Sequence, residues 1–258
     1  MNLSSNDDTG MMDHKGKRHG ATILGSFIDA TSWQETVDIL LQWAKEKQSR
    51  YVCICNVHVV VTAKQDPKFR QVVNGADMAT PDGMPIAWVL QRMGFPGQER
   101  INGPDLMWRL CGQAAEKRLS IFLYGSTSET LERLTHRLKI AFPQLAIAGV
   151  YSPPFRLLSD EEDRKMIDII NGSGAHIVFV GLGCPKQEFL MAAYRGRSRA
   201  VMIGVGAAFD YHAGTVTRAP LWMQRSGLEW LFRLLSEPKR LWKRYLVTNS
   251  LFLIYLGL

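Results

Sequence analysis

Short apolar runs alternate with amphipathic segments along most of this 258-residue chain, and this alternation constrains the fold most strongly. The runs are apolar almost throughout, as expected for strands buried on both faces of a sheet. We predict strands at Ala21–Ile28, Tyr51–Cys55, Met78–Ala79, Ser120–Tyr124, Leu145–Val150, His176–Val180 and Ala200–Val205. Strands separated by helices favour a mostly parallel sheet with helices on both faces. The sequence therefore predicts a Rossmann-like α/β fold.

The amphipathic segments between these runs are predicted helices. Ser32 and Glu35 have capping-box spacing at the start of Trp33–Lys47, and Ser126 and Glu129 have it before Glu129–Phe142. The other predicted helices are His58–Val73, Pro85–Met93, Pro104–Lys117, Asp160–Asn171 and Pro185–Tyr194. The four acids that open Asp160–Asn171 are typical of a helix N-terminus, where the dipole favours negative charge, so we expect no metal site there.

The two ends of the chain differ from its middle. Residues 1–20 are polar, have mixed charge and lack an apolar signal region, so we predict a disordered arm and no secretory signal. Residues 213–258 hold seven Lys and Arg against two Glu, together with three of the seven tryptophans. We predict a catalytic core over 21–212 and a basic, aromatic helical appendage over 213–258. No window of 18 uncharged apolar residues occurs, so no ordinary membrane span is expected.

Polar residues that directly follow predicted strands are candidate site residues, because ligands bind at the carboxyl ends of strands in such sheets. Asn56 follows one strand, and its amide suits a sugar or a base as well as a helix cap. His58 is expected to be solvated or packed instead of catalytic. Asp82 lies in the turn sequence TPDG at 80–83, where a carboxylate at the sheet edge can act as a general base.

Two later strand exits are rich in glycine. The segment GLGCPKQE at 181–188 allows close backbone approach, and the helix that follows offers amides to a phosphate or a carbonyl. The segment GVGAAFD at 204–210 is of the same kind and contains Gly206 and Asp210. Neither has the spacing of a dinucleotide fingerprint or a P-loop. Arg100 and Asp105 come soon after Asp82, and Asp105 equally suits a helix N-terminus.

Several function classes are open at this point. No D-x-D motif, H-E-x-x-H, G-x-S-x-G or Cys/His set is present, so we expect no metal, and a diphosphate leaving group would need Arg and Lys. The alternation of strands and helices fits a nicotinamide-dependent oxidoreductase, but the chain lacks the dinucleotide-binding fingerprint of that class. A nucleic-acid-binding protein fits a pI of about 9.3, but no recognisable RNA-binding motif occurs. We interpret the four cysteines as free thiols, which are typical of proteins in a reducing compartment. This interpretation predicts a cytoplasmic protein.

Six motifs in fixed order make the sequence more specific. They are TPDG at 80–83, ERINGPDL at 99–106, GLGCPKQE at 181–188, GVGAAFD at 204–210, RAP at 218–220 and GLEWLFRLLSEPKRLWKRY at 227–245. Together they resemble the WecG/TagA/CpsF family of bacterial glycosyltransferases, glycosyltransferase family 26. The resemblance covers the chain from about Ala21 to its C-terminus.

The resemblance implies an activity and a location. The resemblance implies an inverting, metal-independent enzyme that needs no cofactor. Such an enzyme moves a sugar from a UDP-sugar to a polyprenyl-diphosphate-linked saccharide. The implied sugar is a hexose or an N-acetylhexosamine type, in the assembly of cell-surface polysaccharide. The appendage would close the site and contact the anionic cytoplasmic face of the membrane, where the protein would be peripheral. Nucleic acid is not an expected partner, and the oligomeric state stays open.

The resemblance also implies roles for individual residues. Asp82 matches the proposed catalytic base, and the appendage cations matched to the UDP diphosphate are Arg233, Arg240 and Lys243. The resemblance also matches Asn56, Arg100 and Gln187 to residues of the substrate pocket. Together with Asp105, Gly206 and Asp210 from the motifs above, these are the substrate-binding candidates. Family members often have Thr two positions before the Asn, whereas this chain has Ile54. The loss of that hydroxyl leaves the identity of the sugar open.

Overall fold

The computed structural model describes residues 18–154, 156 and 158–257. Most of the predicted N-terminal arm, residues 1–17, therefore lies outside the described residues. Arg18 is bound to the core: its Nε donates to Asp29 Oδ1 at 2.8 Å and its Nη1 donates to Ala76 O at 2.6 Å.

The described residues form an α/β fold with a parallel sheet, as predicted. The strands are β1 Gly20–Ile23, β2 Ser26–Asp29, β3 Arg50–Cys55, β4 Met78–Pro81, β5 Ser120–Gly125, β6 Ala146–Tyr151, β7 Ile177–Gly181 and β8 Val201–Gly204. Six of them form one parallel sheet in the order β4-β3-β8-β7-β5-β6. Two separate hydrophobic clusters of buried side chains flank the sheet, which is why its central strands are apolar on both faces.

Helices connect the strands and cover the sheet. They are α1 Trp33–Lys45, α2 Val57–Gln65, α3 Pro67–Asn74, α4 Met84–Arg92, α5 Gly103–Glu116, α6 Ser128–Ala141, α7 Asp160–Ser173, α8 Lys186–Tyr194, α9 Ala208–Ala213, α10 Leu221–Arg225, α11 Glu229–Ser236 and α12 Pro238–Leu256. The predicted capping box of α1 is confirmed, with Ser32 and Glu35 in reciprocal hydrogen bonds. The acids that open α7 follow a second capping box, formed by Ser159 and Glu162.

Three local predictions were wrong. The single strand predicted at Ala21–Ile28 is an antiparallel hairpin, because Leu24 and Gly25 have φ angles of 51° and 89° and form a tight two-residue turn. The single helix predicted at His58–Val73 is broken at Pro67, which disfavours a helical conformation for the residue before it.

The third wrong prediction is the cap of α6. Ser126 has a φ angle of 61° and is not the cap, so the predicted pairing of Ser126 with Glu129 does not form. Thr127 caps the helix instead, and its hydroxyl oxygen accepts from the Thr130 N–H at 3.2 Å.

The helices of the predicted appendage pack against the parallel-sheet core. Helix α12 lies along α2, and Leu241 and Phe252 of α12 are 2% and 4% exposed. At the turn between α10 and α11, Gly227 has a φ angle of 76°, and a Cβ there would lie 3.1 Å from the Trp88 ring of α4. The appendage therefore covers the sheet edge at which β3 and β4 end.

Candidate active site

A cavity of about 770 Å³ lies between the carboxyl ends of four strands and the helices α10 to α12. Its floor consists of the residues that follow β3, β4, β7 and β8, which are neighbours in the sheet. The chain thus places a large cavity where parallel α/β sheets bind ligands. Of the predicted site residues, the cavity is lined by Asn56, Asp82, Arg100, Gln187, Gly206, Asp210, Arg233 and Arg240.

The Asp82 carboxylate lies at the end of the edge strand β4. Its N–H donates to Cys55 O at 2.9 Å, which extends the β3–β4 pairing up to the site. The side chain of Asn56 donates from Nδ2 to Asp82 Oδ2 at 3.4 Å, and Arg100 donates from Nε to Asp82 Oδ1 at 3.2 Å. Asp82 is 18% exposed, so it is held in place while still open to the cavity.

Asn56 caps helix α2 and also binds the side chain of Asp82. Its Oδ1 accepts from the Val59 N–H at 3.2 Å, so the prediction of a helix cap is confirmed. Its Nδ2 is thereby directed at the Asp82 carboxylate. The cap of α2 and the orientation of Asp82 consequently depend on one amide.

Arg100 links the core to the appendage. Its Nη2 donates to Glu229 Oε2 at the start of α11, while its Nε is bound to Asp82. Burial alone would lower the pKa of Arg100, but Asp82 and Glu229 more than offset it, so the pKa is raised and the guanidinium stays charged. Glu229 also lies 3.7 Å from Arg218 Nε. The sequence analysis missed Glu229, because one acid among many cations in the tail carries no local signal.

Asp105 does not line the cavity. It forms an ion pair with Arg218, whose Nη2 donates to Asp105 Oδ2 at 3.1 Å, and its own N–H donates to Asn102 Oδ1 at 3.0 Å. Burial raises the pKa of Asp105, but the bonds from Arg218 and Asn102 lower it more, so the net shift is downward. The structure thus places Asp105 at the N-terminus of α5, where it fixes the segment that leads into the appendage.

Gln187 holds the two glycine-rich loops together. Its Oε1 accepts from the Gly183 N–H and the Gly206 N–H, each at 3.1 Å, and its Nε2 donates to Glu188 Oε1 at 2.9 Å. Gln187 is 4% exposed. The predicted residues Gln187 and Gly206 therefore lie side by side on the cavity floor, with these groups already paired to each other.

Three arginines of the appendage line the cavity: Arg233, Arg240 and Arg244. The Nε atoms of Arg233 and Arg244 are buried and have no hydrogen-bond partner among the described residues. Burial lowers the pKa of Arg244, the direction expected for a cation in a low-dielectric site. A buried guanidinium without an acceptor favours an anionic ligand in the cavity.

Lys243, in contrast, does not line the cavity and is exposed on the other side of α12. The prediction of Lys243 as a cavity residue was therefore wrong, and its neighbour Arg244 lines the cavity instead. Lys243 and Arg244 lie three and four residues after Arg240, and both spacings give neighbours on a helix, so spacing alone does not distinguish them.

Two further ionisable groups at the cavity have shifted pKa values. Burial, with a smaller effect of Arg244, lowers the pKa of His58 to about 4, so the imidazole is neutral at pH 7. Burial raises the pKa of Asp210, and Arg240 partly opposes this. Among the residues that the structure describes, no group of three or more His, Cys, Asp and Glu could hold a metal ion.

Fold and site together define an α/β enzyme-type cavity with the carboxyl groups of Asp82 and Asp210 on its floor and a cationic cover suited to phosphate groups. The chain belongs to the WecG/TagA/CpsF family of glycosyl transferases, whose family model matches residues 21–257. This finding, and not the geometry alone, decides against the oxidoreductase and nucleic-acid-binding alternatives.

Two curated relatives are similar over most of their length. A protein of Bacillus spizizenii (strain ATCC 23059 / NRRL B-14472 / W23) is 34% identical over 221 residues, which is 85% of this chain and 84% of the relative. A protein of Bacillus subtilis (strain 168) is 33% identical over 203 residues, 78% of this chain and 77% of the relative. Both are named N-acetylglucosaminyldiphosphoundecaprenol N-acetyl-beta-D-mannosaminyltransferase.

Proposed function

We propose that the chain moves a hexose or N-acetylhexosamine-type sugar from a UDP-sugar to a polyprenyl-diphosphate-linked saccharide, with inversion and without a metal ion. One observation carries the proposal. The Asp82 carboxylate and the appendage arginines Arg233, Arg240 and Arg244 face the same cavity, and two of these arginines have an Nε without a partner among the described residues. Carboxylate and cations are the two groups that such a transfer needs.

In this proposal Asp82 takes the proton of an acceptor hydroxyl. The oxygen attacks the anomeric carbon from the face opposite UDP, and the bond between that carbon and the diphosphate oxygen breaks with its electron pair. One displacement of this kind inverts the anomeric configuration. Arg100 and Asn56 act as positioning residues, because both bind the Asp82 carboxylate.

The departing UDP carries the electron pair on its diphosphate. The guanidinium groups of Arg233, Arg240 and Arg244 stabilise this charge by hydrogen bonds to the diphosphate oxygens. They take the place that a divalent cation has in other enzymes. The proposal replaces the predicted Lys243 by Arg244, since Arg244 lines the cavity and Lys243 does not.

We also place the protein peripherally at the cytoplasmic face of the membrane. Among the described residues, no helix combines the length and apolarity that crossing a bilayer requires. The outer face of α12 presents Trp242 (55% exposed) and Leu246 (63% exposed) beside the exposed Lys239 and Lys243. Apolar and cationic side chains on one helix face favour an anionic lipid surface.

The experiment is a donor screen in the presence of a chelator. The purified chain is incubated with a panel of UDP-sugars and an N-acetylglucosaminyl diphosphate linked to a lipid, and released UDP is measured. UDP-N-acetylmannosamine is tested first, because the two relatives are named for that transfer. Acceptor-dependent UDP release with at least one donor supports the proposal. Release only with added metal, or release equally fast without acceptor, contradicts it.

A further inference from the structure

The cavity face of α12 changes its chemistry along the helix. Its lining residues recur every three or four positions, in the order Arg240, Leu241, Arg244, Tyr245, Thr248, Asn249, Phe252, Leu253 and Leu256. The first turns carry guanidinium groups, the middle turns carry hydroxyl and amide groups, and the last turns are apolar. From Arg244 to Leu256 this change extends over about 18 Å, at about 1.5 Å per residue.

Apolar residues from two other helices line the same cavity. They include Val57 of α2 and Trp88 and Val89 of α4, and Arg92 at the end of α4 is a charged residue that also lines the cavity. Val57, Val89 and Leu256 pack against the same hydrophobic cluster, which includes the buried Phe252. The cavity consequently has an ionic region around Asp82 and the arginines and an apolar region formed by α2, α4 and the end of α12.

The apolar region is open to the outside. Trp88 is 41% exposed and Leu253 is 50% exposed, although both line the cavity. Ile254, next to Leu253 on the outer face of α12, is 65% exposed. A chain-like ligand held in the cavity can therefore leave it beside α4 and α12 without crossing a closed wall.

We infer that the α2–α4–α12 region, formed by Val57, Trp88, Val89, Phe252, Leu253 and Leu256, binds the first isoprenoid units of the acceptor lipid. This inference rests on the proposed function, and it adds the position of the chain. A nucleoside diphosphate sugar has no apolar part that would fill this region. In a lipid-diphosphate-linked saccharide, the charged diphosphate is followed by the hydrocarbon chain. Along α12, the cationic side chains are followed by apolar side chains in the same order.

The test compares two acceptors in solution without membranes. Both carry the same saccharide diphosphate; one bears a farnesyl chain and the other a methyl cap. For the unaltered protein we expect kcat/KM to be at least about tenfold higher for the farnesyl acceptor, the gain expected from burying one or two apolar groups. In Leu253→Asn we expect the ratio of the two kcat/KM values to fall roughly tenfold.

Ile254→Asn is the matched control, since Ile254 lies on the same helix, is at least as exposed and does not line the cavity. It should keep the ratio of the unaltered protein. An equal ratio in all three proteins, or an equal fall in Leu253→Asn and Ile254→Asn, overturns the inference. Trp88→Ala gives a second test from a different helix, with the same expected fall in the ratio.

Direct binding separates this inference from the proposed function. Farnesyl diphosphate and inorganic diphosphate are titrated against the full chain by calorimetry. We expect farnesyl diphosphate to bind at least about tenfold more tightly, and Leu253→Asn to remove most of that difference. Equal affinities overturn the chain site even if sugar transfer occurs. If no sugar is transferred but the difference in affinity is found, the proposed function fails and the chain site stands.

Discussion

At the residue scale, the account depends first on the carboxylate of Asp82. Asp82→Asn keeps the size of the side chain and removes the base, so we expect the transfer rate to fall by about 10²–10⁴-fold. Initial rates of UDP release measure this effect. Asp168→Asn, an exposed aspartate on α7, is the matched control and should have the rate of the unaltered protein. An Asp82→Asn protein with full activity would exclude Asp82 as the base.

His58 gives a prediction about stability. Its pKa is lowered from 6.5 to about 4 by burial and by Arg244, so the folded protein binds this proton less readily than the unfolded chain. The stability linked to this shift is fully present above about pH 6.5 and is lost as the pH falls through about 4. Between pH 7 and pH 4, the unfolding free energy of His58→Gln should therefore decrease less than that of the unaltered protein. The difference between the two decreases should be up to about 3 kcal/mol.

Urea unfolding at a series of pH values measures this difference. His136→Gln, which replaces an exposed histidine on α6, serves as the control and should follow the unaltered protein. Identical pH dependence in His58→Gln and the unaltered protein would show that the His58 proton is not linked to folding.

At the element scale, the sequence predicted what local patterns determine. The strands around the site were recognised because they are apolar, and Asn56 and Asp82 were found because they follow these strands. The break at Pro67 was missed although proline gives a local signal there. The choice of Lys243 over Arg244 has a different cause: the rotation of α12 against the core depends on packing by Leu241 and Phe252, which no local pattern states.

The rotation of α12 leads to a prediction. Arg244→Gln should lower kcat/KM by about 10²-fold, the usual effect of removing one group that stabilises developing charge. Lys243→Gln on the neighbouring position should leave kcat/KM within about twofold, because Lys243 is exposed and does not line the cavity. Steady-state kinetics with varied UDP-sugar measures both variants. A larger loss in Lys243→Gln than in Arg244→Gln would contradict the orientation of α12.

At the scale of the whole molecule, the appendage has two faces with different chemistry. One face closes the cavity with Arg240 and Arg244, and the other presents Trp242 and Lys243 outward. Glu229 ties this element to the core through Arg100, the same residue that binds Asp82. The contact of the appendage with the core and the orientation of Asp82 are therefore joined in one hydrogen-bonded path, which composition and motif spacing could not predict.

The outward face predicts binding to anionic vesicles. The double variant Lys239→Glu with Lys243→Glu reverses two exposed charges, and each basic residue contributes about 1 kcal/mol near an anionic surface. In a flotation assay with phosphatidylserine-containing vesicles, we expect the bound fraction to fall strongly. Lys117→Glu with Arg118→Glu, a pair at the end of α5, is the control and should float as the unaltered protein does. Equal flotation of both double variants would contradict a membrane role for α12.

The central claim is a single displacement in which Asp82 activates the acceptor and the appendage arginines stabilise the departing UDP. The anomeric configuration of the product, read by NMR from the one-bond coupling between its anomeric carbon and proton, tests this claim most directly. The account predicts the configuration opposite to that of the donor sugar. A product that retains the donor configuration would contradict the account, because a single attack from the face opposite UDP can only invert it.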